Sequence, residues 1–267
     1  MSGAQMNVLV VGATGSIGRL VVEEAIRQGH AVCALVRDLR GASRLHAAAL
    51  RVVGDLTRPN TLVAAVDGVD AIVFTHGADG GGKLGAEQVS YGGVRNVLTA
   101  LDGHPARIAL MTAIGVTNRT GAYNRSTEAH DWKRRSERLL RASGLPYTIV
   151  RPGWFDYNNA DQHRLVMLQG DTRHAGDPRD GVVARVQIAQ VLVNSLTSAS
   201  ATHKTFELVA ERGPAQEDFD GLFADLDVDT PGVLDAVHDT HNMPLAQEPE
   251  RVRDDLSRLA TPEPHET

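Results

Sequence analysis

The run Asn7-Val-Leu-Val-Val11 breaks into Gly12-Ala-Thr-Gly15-Ser-Ile-Gly18 and then into a helical pattern with Ile17, Leu20, Val21, Ala25 and Ile26 on one face. A strand that ends in three spaced glycines and turns directly into a helix is a phosphate-binding turn. The first glycine lets the chain reverse sharply, the second lets backbone N–H groups approach a pyrophosphate, and the third lets the helix pack on the sheet. The helix start offers unpaired N–H groups and roughly half a positive elementary charge. Gly12, Thr14, Gly15, Ser16, Ile17 and Gly18 are therefore expected to hold the pyrophosphate of a dinucleotide.

The end of the next strand selects the dinucleotide, because that position faces the adenine ribose. It reads Leu35-Val36-Arg37-Asp38. An acidic residue first would take the 2′-hydroxyl of NAD, whereas a guanidinium there grips a 2′-phosphate through charge-assisted bonds. Arg37 comes first, so NADP (as NADPH) is favoured over NAD. Asp38 can still claim a hydroxyl, and Arg40 and Arg44 read equally as a solvated helix face.

Short apolar runs alternate with helical patterns along most of the 267 residues. Strands are expected at 7–11, 31–36, 50–53, 71–75, 107–112, 148–151 and 205–209, with helices at 16–28, 60–66, 86–101, 128–142 and 186–196. This predicts a doubly wound, mainly parallel α/β sheet with helices on both faces, one domain over 1–213. Residues 214–267 change to an acidic, Pro-bearing appendage with one amphipathic helix at Phe219, Leu222, Phe223 and Leu226, and a frayed end from Pro262. A net charge of −6 with scattered basic residues gives no support for nucleic-acid binding. No apolar stretch reaches the roughly 20 residues that span a bilayer, and one cysteine, Cys33, excludes an intramolecular disulfide framework. A cytoplasmic, small-molecule-binding protein, monomer or homodimer, is expected.

With the glycine turn, Arg37, Gly54-Asp55, the segment 129–133 and Ser143-Gly-Leu-Pro-Tyr-Thr-Ile-Val-Arg-Pro-Gly153 in order, the chain resembles the atypical short-chain dehydrogenase/reductase group with NAD(P)-binding, NmrA-like Rossmann domains. The likeness spans roughly 7–209. It implies that Asp55 and Leu56 flank the adenine, that Thr75, His76 and Gly77 line the cofactor, and that Pro152, Gly153, Trp154 and Phe155 pass beneath the nicotinamide. In the wider group a Ser or Thr after the fifth strand works with a Tyr-x-x-x-Lys pair. Thr112 and Lys133 match, but the tyrosine position is Ala129. Loss of a general acid costs on the order of 10²–10⁴-fold in rate; orientation of donor and acceptor still supplies much of catalysis.

His130 lies beside the vacant position, although a helix turns it about 100° away from Ala129. Tyr157, Tyr123 and Tyr91 are further proton-donor candidates, each equally readable as a locally packed residue. Lys133, Arg134, Arg135, Glu137 and Arg138 also read as a charged, solvated helical face, with Lys133 and Glu137 at i, i+4; the family position tips Lys133 towards the cofactor. Metal and hydrolase chemistry are rejected: no H-E-x-x-H or G-x-S-x-G motif occurs, and His238 and His241 lack a third ligand. The leading reading is an NADP-dependent oxidoreductase. The alternatives are a non-catalytic NADP(H) redox sensor acting through a protein partner, and an epimerase or dehydratase, which the missing tyrosine disfavours.

Overall fold

A computed structural model of the protein describes residues 5–78 and 80–260. The expected frayed end from Pro262 lies outside them. Strands are β1 (Asn7–Val11), β2 (Ala31–Val36), β3 (Leu50–Val53), β4 (Ala71–Phe74), β5 (Arg107–Met111), β6 (Tyr147–Pro152), β7 (Trp154–Phe155), β8 (Arg164–Leu168), β9 (Val182–Val183) and β10 (Lys204–Glu211). Helices are α1 (Ser16–Arg27), α2 (Val63–Val66), α3 (Gly82–Gly85), α4 (Gly92–Leu101), α5 (Ala122–Thr127), α6 (Ala129–Ala142), α7 (Arg185–Thr197), α8 (Phe219–Ala224) and α9 (Glu250–Ala260).

Eight strands form one sheet in the order β3-β2-β1-β4-β5-β6-β10-β8, parallel except for β8, which runs antiparallel to β10. The β1 side chains alternate between two cores. Val8 and Val10 join the apolar cluster under α1 and α7, while Leu9 and Val11 join the one under α4, α6 and α9. Burial on both faces is what a continuous Val/Leu run specifies in a parallel sheet. The chain winds one way from β1 to β3 and the other way from β4 onward, so a crevice opens between the C-terminal ends of β1 and β4.

The fold departs from the sequence reading in several places. The helix expected at 86–101 is a π-helical turn over Ala86–Tyr91 followed by α4, and the Val89 and Ser90 carbonyls receive hydrogen bonds from His76 Nε2 and Ser136 Oγ. The short strands β7 and β9, and the antiparallel β8, were not anticipated. The face of α6 read as solvated is buried: Arg134, Arg135, Glu137 and Arg138 are all less than 9% exposed. Their partners lie in the C-terminal segment, which straps α6 through Arg134–Asp235 (3.1 Å), Arg138–Asp235 (2.8 Å), Arg135–Glu248 (2.6 Å) and Arg141–Asp229 (3.2 Å). Helix α9 follows the strap and inserts Val252 and Leu256 into the core over α4 and α6, burial that contributes roughly 1.5–3 kcal/mol per side chain.

Candidate functional site

The glycine turn sits in the β1/β4 crevice. Gly12 has φ +85°, a left-handed conformation, and a Cβ there would stand 2.7 Å from the His76 backbone nitrogen. A Cβ on Gly18 would stand 2.1 Å from the Gly12 carbonyl oxygen. The turn is closed by a Gly15 N–H to Gly12 O bond of 2.9 Å. Thr14, Gly15 and Ser16 are exposed, and α1 begins at Ser16 with no side-chain cap, so its first N–H groups face outward. Ile17 and Gly18 are buried beneath them. These features fit a pyrophosphate: a cradle that side chains would fill, at a helix N-terminus.

Arg37 is exposed at the end of β2. A cleft of ≈ 370 Å³ at the glycine turn is lined by Thr14, Arg19, Arg40, Gly41, Ser43 and Arg44. Arg40 and Arg44 thus share one cavity with the glycine turn instead of forming a separate helix face. Asp38 is turned to local work, accepting the Arg40 and Gly41 N–H groups. Asp55 accepts the Thr57 N–H and hydroxyl, and those bonds hold its carboxyl below the usual range. The Leu56 carbonyl accepts from Asn96 Nδ2 at 2.6 Å.

At the β4 end, Thr75 Oγ1 donates to Val11 O at 3.1 Å, and Gly77 is exposed. His76 Nε2 meets Val89 O at 3.0 Å; a carbonyl only accepts, so Nε2 carries the proton and Nδ1 is a buried lone pair without a partner. Burial pushes the His76 ring down to about 4, and the Lys133 charge adds to the effect. His130 is also pushed down to about 4, by burial and then by Lys133. Lys133 therefore lies within electrostatic reach of both histidines. His130 Nδ1 is buried without a partner, and its ring meets the Tyr123 ring edge at 5.1 Å. Ala129 packs into the apolar core with Trp132 and Tyr91. Tyr91 is 1% exposed and donates to Asp255 Oδ2 at 2.8 Å, which turns it away from any role as a proton donor at the crevice.

Thr112, 3% exposed, donates its hydroxyl proton to Glu137 Oε1 at 2.8 Å. Sequence reasoning missed Glu137 as a site component. Glu137 is itself clamped by Arg151 at 3.0 and 2.7 Å, and Arg151 also holds Asp239 (2.8 and 2.7 Å) and Glu207 (3.2 Å). Asp171 accepts the Gly115 N–H (2.6 Å), the Thr117 N–H (2.7 Å) and the Thr117 hydroxyl (2.8 Å), which fixes the loop after β5. Pro152 O receives the Ile114 N–H at 3.0 Å, joining that loop to the end of β6. Gly153 is close-packed there, since a Cβ would stand 2.5 Å from Gly181 O. Trp154 then projects beside Tyr157, ring centroids 6.2 Å apart, while Phe155 lies under the Arg185 guanidinium at 5.3 Å. The structure thus brings Thr112, His130, Trp154 and Tyr157 to the C-terminal ends of β5 and β6.

The buried carboxyls give stability a definite pH dependence. Despite its burial, Glu137 is held below its usual range by Arg151, and Asp131 and Asp235 by their arginine partners. Their contribution is complete above the ordinary carboxylate range and is lost as pH falls below it. Glu207 is opposite: burial pushes it up to about 7, so its contribution is full in acid and is lost as pH rises through 7. Glu207→Gln is expected to remove that second slope, so that its melting temperature falls less than the parent's between pH 5 and 8, read by thermal unfolding across that pH range.

The sequence pattern of the NAD(P)H-binding family matches residues 12–199. The chain is 30% identical over 210 residues to a photosystem II assembly factor, Ycf39, of Synechocystis, covering 78% of this chain and 63% of that one. It is 29% identical over 219 residues to an uncharacterized sugar epimerase, YhfK, of Bacillus subtilis, covering 79% of this chain and 98% of that protein. A short-chain dehydrogenase/reductase from Veillonella parvula, solved in complex with NADP, shares the fold with a TM-score of 0.60 at 16% identity, over 77% of this chain and 95% of that one. Among the described residues no helix is long and apolar enough to cross a membrane. The glycine cradle in its crevice and the matched pattern agree: the chain belongs to the NAD(P)H-binding family.

Proposed function

We propose that the protein is an NADP-dependent oxidoreductase that moves hydride between a nicotinamide and a small organic carbonyl, alcohol or activated double bond. The observation that carries the NADP preference is the arginine-lined cleft that adjoins the glycine turn, with Arg19, Arg40 and Arg44 on its walls and Arg37 exposed at the end of β2. Guanidinium groups clustered there suit a 2′-phosphate better than a bare hydroxyl.

In this reading Gly12, Thr14, Gly15, Ser16, Ile17 and Gly18 hold the pyrophosphate, Asp55 and Leu56 flank the adenine, and Thr75, His76 and Gly77 line the dinucleotide. Lys133 orients the nicotinamide ribose, and Pro152, Gly153, Trp154 and Phe155 form the floor and wall of the reacting end. The bound dinucleotide supplies the hydride. Thr112 faces the reacting end, and because its hydroxyl donates to Glu137 its oxygen is left to accept a hydrogen bond, from a substrate hydroxyl. His130 and Tyr157 are the remaining groups for proton traffic in this reading.

The double variant Arg40→Glu/Arg44→Glu is expected to weaken NADPH binding by about tenfold or more, the effect of losing a charge-assisted hydrogen bond of roughly 1.5–3 kcal/mol, while NADH binding changes little. Titration of nicotinamide fluorescence measures both. An equal loss for the two nucleotides would remove the arginines from 2′-phosphate recognition. One observation favours a second reading, a non-catalytic NADP(H) sensor: the helix position expected to hold the acid is Ala129, packed into the core. That reading predicts tight NADPH binding with no turnover on any acceptor.

A further inference from the structure

Among the described residues, every buried or half-buried arginine meets a carboxylate or makes three hydrogen bonds, with two exceptions. Arg51 and Arg107 are the ones held by three hydrogen bonds without an acid. The exceptions are Arg19 and Arg173. Arg19 stands on the wall of the cleft at the glycine turn, where a phosphate is expected. Arg173 is half-buried, and among the described residues its side chain has one partner, the Asp180 carbonyl oxygen, 3.3 Å from Nη1. A guanidinium taken out of water without an anion is costly, so each of the two marks a place where an anion settles.

The loop between β8 and β9, residues 169–181, fastens Arg173 to the ends of two strands. On one side Asp171 and His174 grip the segment after β5: Thr117 donates its hydroxyl proton to Asp171 Oδ2 at 2.8 Å and accepts from His174 Nε2 at 3.2 Å. On the other side the Gly181 carbonyl accepts the Trp154 N–H at 2.9 Å, just past β6, and a Cβ on Gly181 would stand 3.4 Å from Arg173 Nη1. The guanidinium therefore lies beside the junction of Gly181 with Trp154. The acids of its own loop are engaged elsewhere. Asp171 also holds the Gly115 and Thr117 N–H groups, Asp180 accepts the Ala175 and Gly176 N–H groups at 2.6 and 2.7 Å, and Asp177 pairs with Arg179.

We propose that Arg173 anchors a carboxylate of the substrate, so that the site reduces small oxo acids in preference to neutral carbonyl compounds of the same size. The proposal deepens the oxidoreductase reading and rests on it, since that reading puts the reacting end at Gly153 and Trp154. The planar guanidinium fork matches a carboxylate through paired, charge-assisted bonds. In the step the oxo carbon gains a hydride from a dihydronicotinamide, which is oxidised. The C=O π pair moves onto the oxygen, which takes a proton supplied in the end by water, and the oxo acid leaves as a hydroxy acid. The carboxylate changes no bond; anchoring it holds the oxo carbon in place for the transfer.

The test uses the whole protein with NADPH and three oxo acids that differ in reach, pyruvate, acetoacetate and levulinate, each against its N-methylamide. At least one acid should be reduced with kcat/KM about tenfold or more above its amide, the effect of one charge-assisted hydrogen bond. Arg173→Gln should erase that preference by raising KM for the acid, with the amide rate and the NADPH affinity at parental values; a purely structural role would lower acid and amide alike. Arg173→Lys, which keeps the charge and loses the fork, should fall between the two. Should Arg173→Gln not fold, the acid–amide comparison in the parent and in Arg173→Lys decides. Equal rates for acid and amide in the parent, a preference that survives Arg173→Gln, or a loss of NADPH affinity in that variant would overturn the proposal. Bound NADPH with none of the three acids reduced overturns this proposal alone; failure of NADPH to bind overturns the reading beneath it.

Discussion

Gly18→Ala is expected to abolish dinucleotide binding while leaving the fold in place. A Cβ at this position would stand 2.1 Å from the Gly12 oxygen and 2.8 Å from the Gly12 carbonyl carbon, both backbone atoms, so no flexible side chain can yield. The helix α1 must instead move off the turn, and the N–H groups at its start move with it. Their aim at the pyrophosphate is the source of affinity, and a loss of about 2.8 kcal/mol is already a hundredfold in the dissociation constant. Gly15→Ala serves as the comparison, because its Cβ would meet the Gly12 oxygen at 3.1 Å, a contact that a small shift relieves. Fluorescence titration with NADPH and circular dichroism on both variants check this. Parental affinity in Gly18→Ala would remove the turn from the binding site.

Arg151→Ala should lower stability more than other single side-chain changes in the strap network. The guanidinium is 0% exposed and carries paired bonds to Glu137 and to Asp239, with Glu207 as a third carboxyl neighbour. Truncation leaves these acids buried without their cation, and breaking a buried pair in this way costs about 3–5 kcal/mol. At roughly 2–4 °C per kcal/mol for a chain of this size, the melting temperature should fall by about 6–20 °C. Thr112 would lose its fixed acceptor as well, since Glu137 is positioned by Arg151. Arg179→Ala, which breaks an ion pair in open solvent, should leave the melting temperature unchanged. Differential scanning calorimetry on the two variants separates the cases, and an equal small effect would mean that the network carries little of the stability.

The parts of the fold that follow local rules were legible in the residues. The apolar runs at 7–11 and 31–36 are strands with the expected limits, because a strand buried on both faces needs no partner-specific signal beyond continuous hydrophobicity, and the half-exposed edge strand at 50–53 keeps its expected limits too. The glycine turn was legible for the same reason, since its geometry is local. What stayed hidden depends on residues far apart in sequence. Arg134 and Arg138 read as a solvated face because their partner, Asp235, is about a hundred positions away, and a face neutralised by buried ion pairs has the composition of an exposed one. The commitment of the Thr112 proton to Glu137 arises only when β5 is laid against α6. The π-helical turn at Ala86–Tyr91 has no periodicity that distinguishes it from the helix it joins; the external bonds from His76 and Ser136 reveal it.

The central claim is that the β1/β4 crevice holds NADP and serves hydride transfer. Titration of the purified protein with NADPH and NADH, following nicotinamide fluorescence, tests it most directly. The account predicts saturable binding of both with NADPH about tenfold or more tighter, as expected for a 2′-phosphate held by guanidinium groups, followed by oxidation of the bound NADPH when a small carbonyl or activated-alkene acceptor is added. Absence of binding by either nucleotide would contradict the account from Gly12 onward.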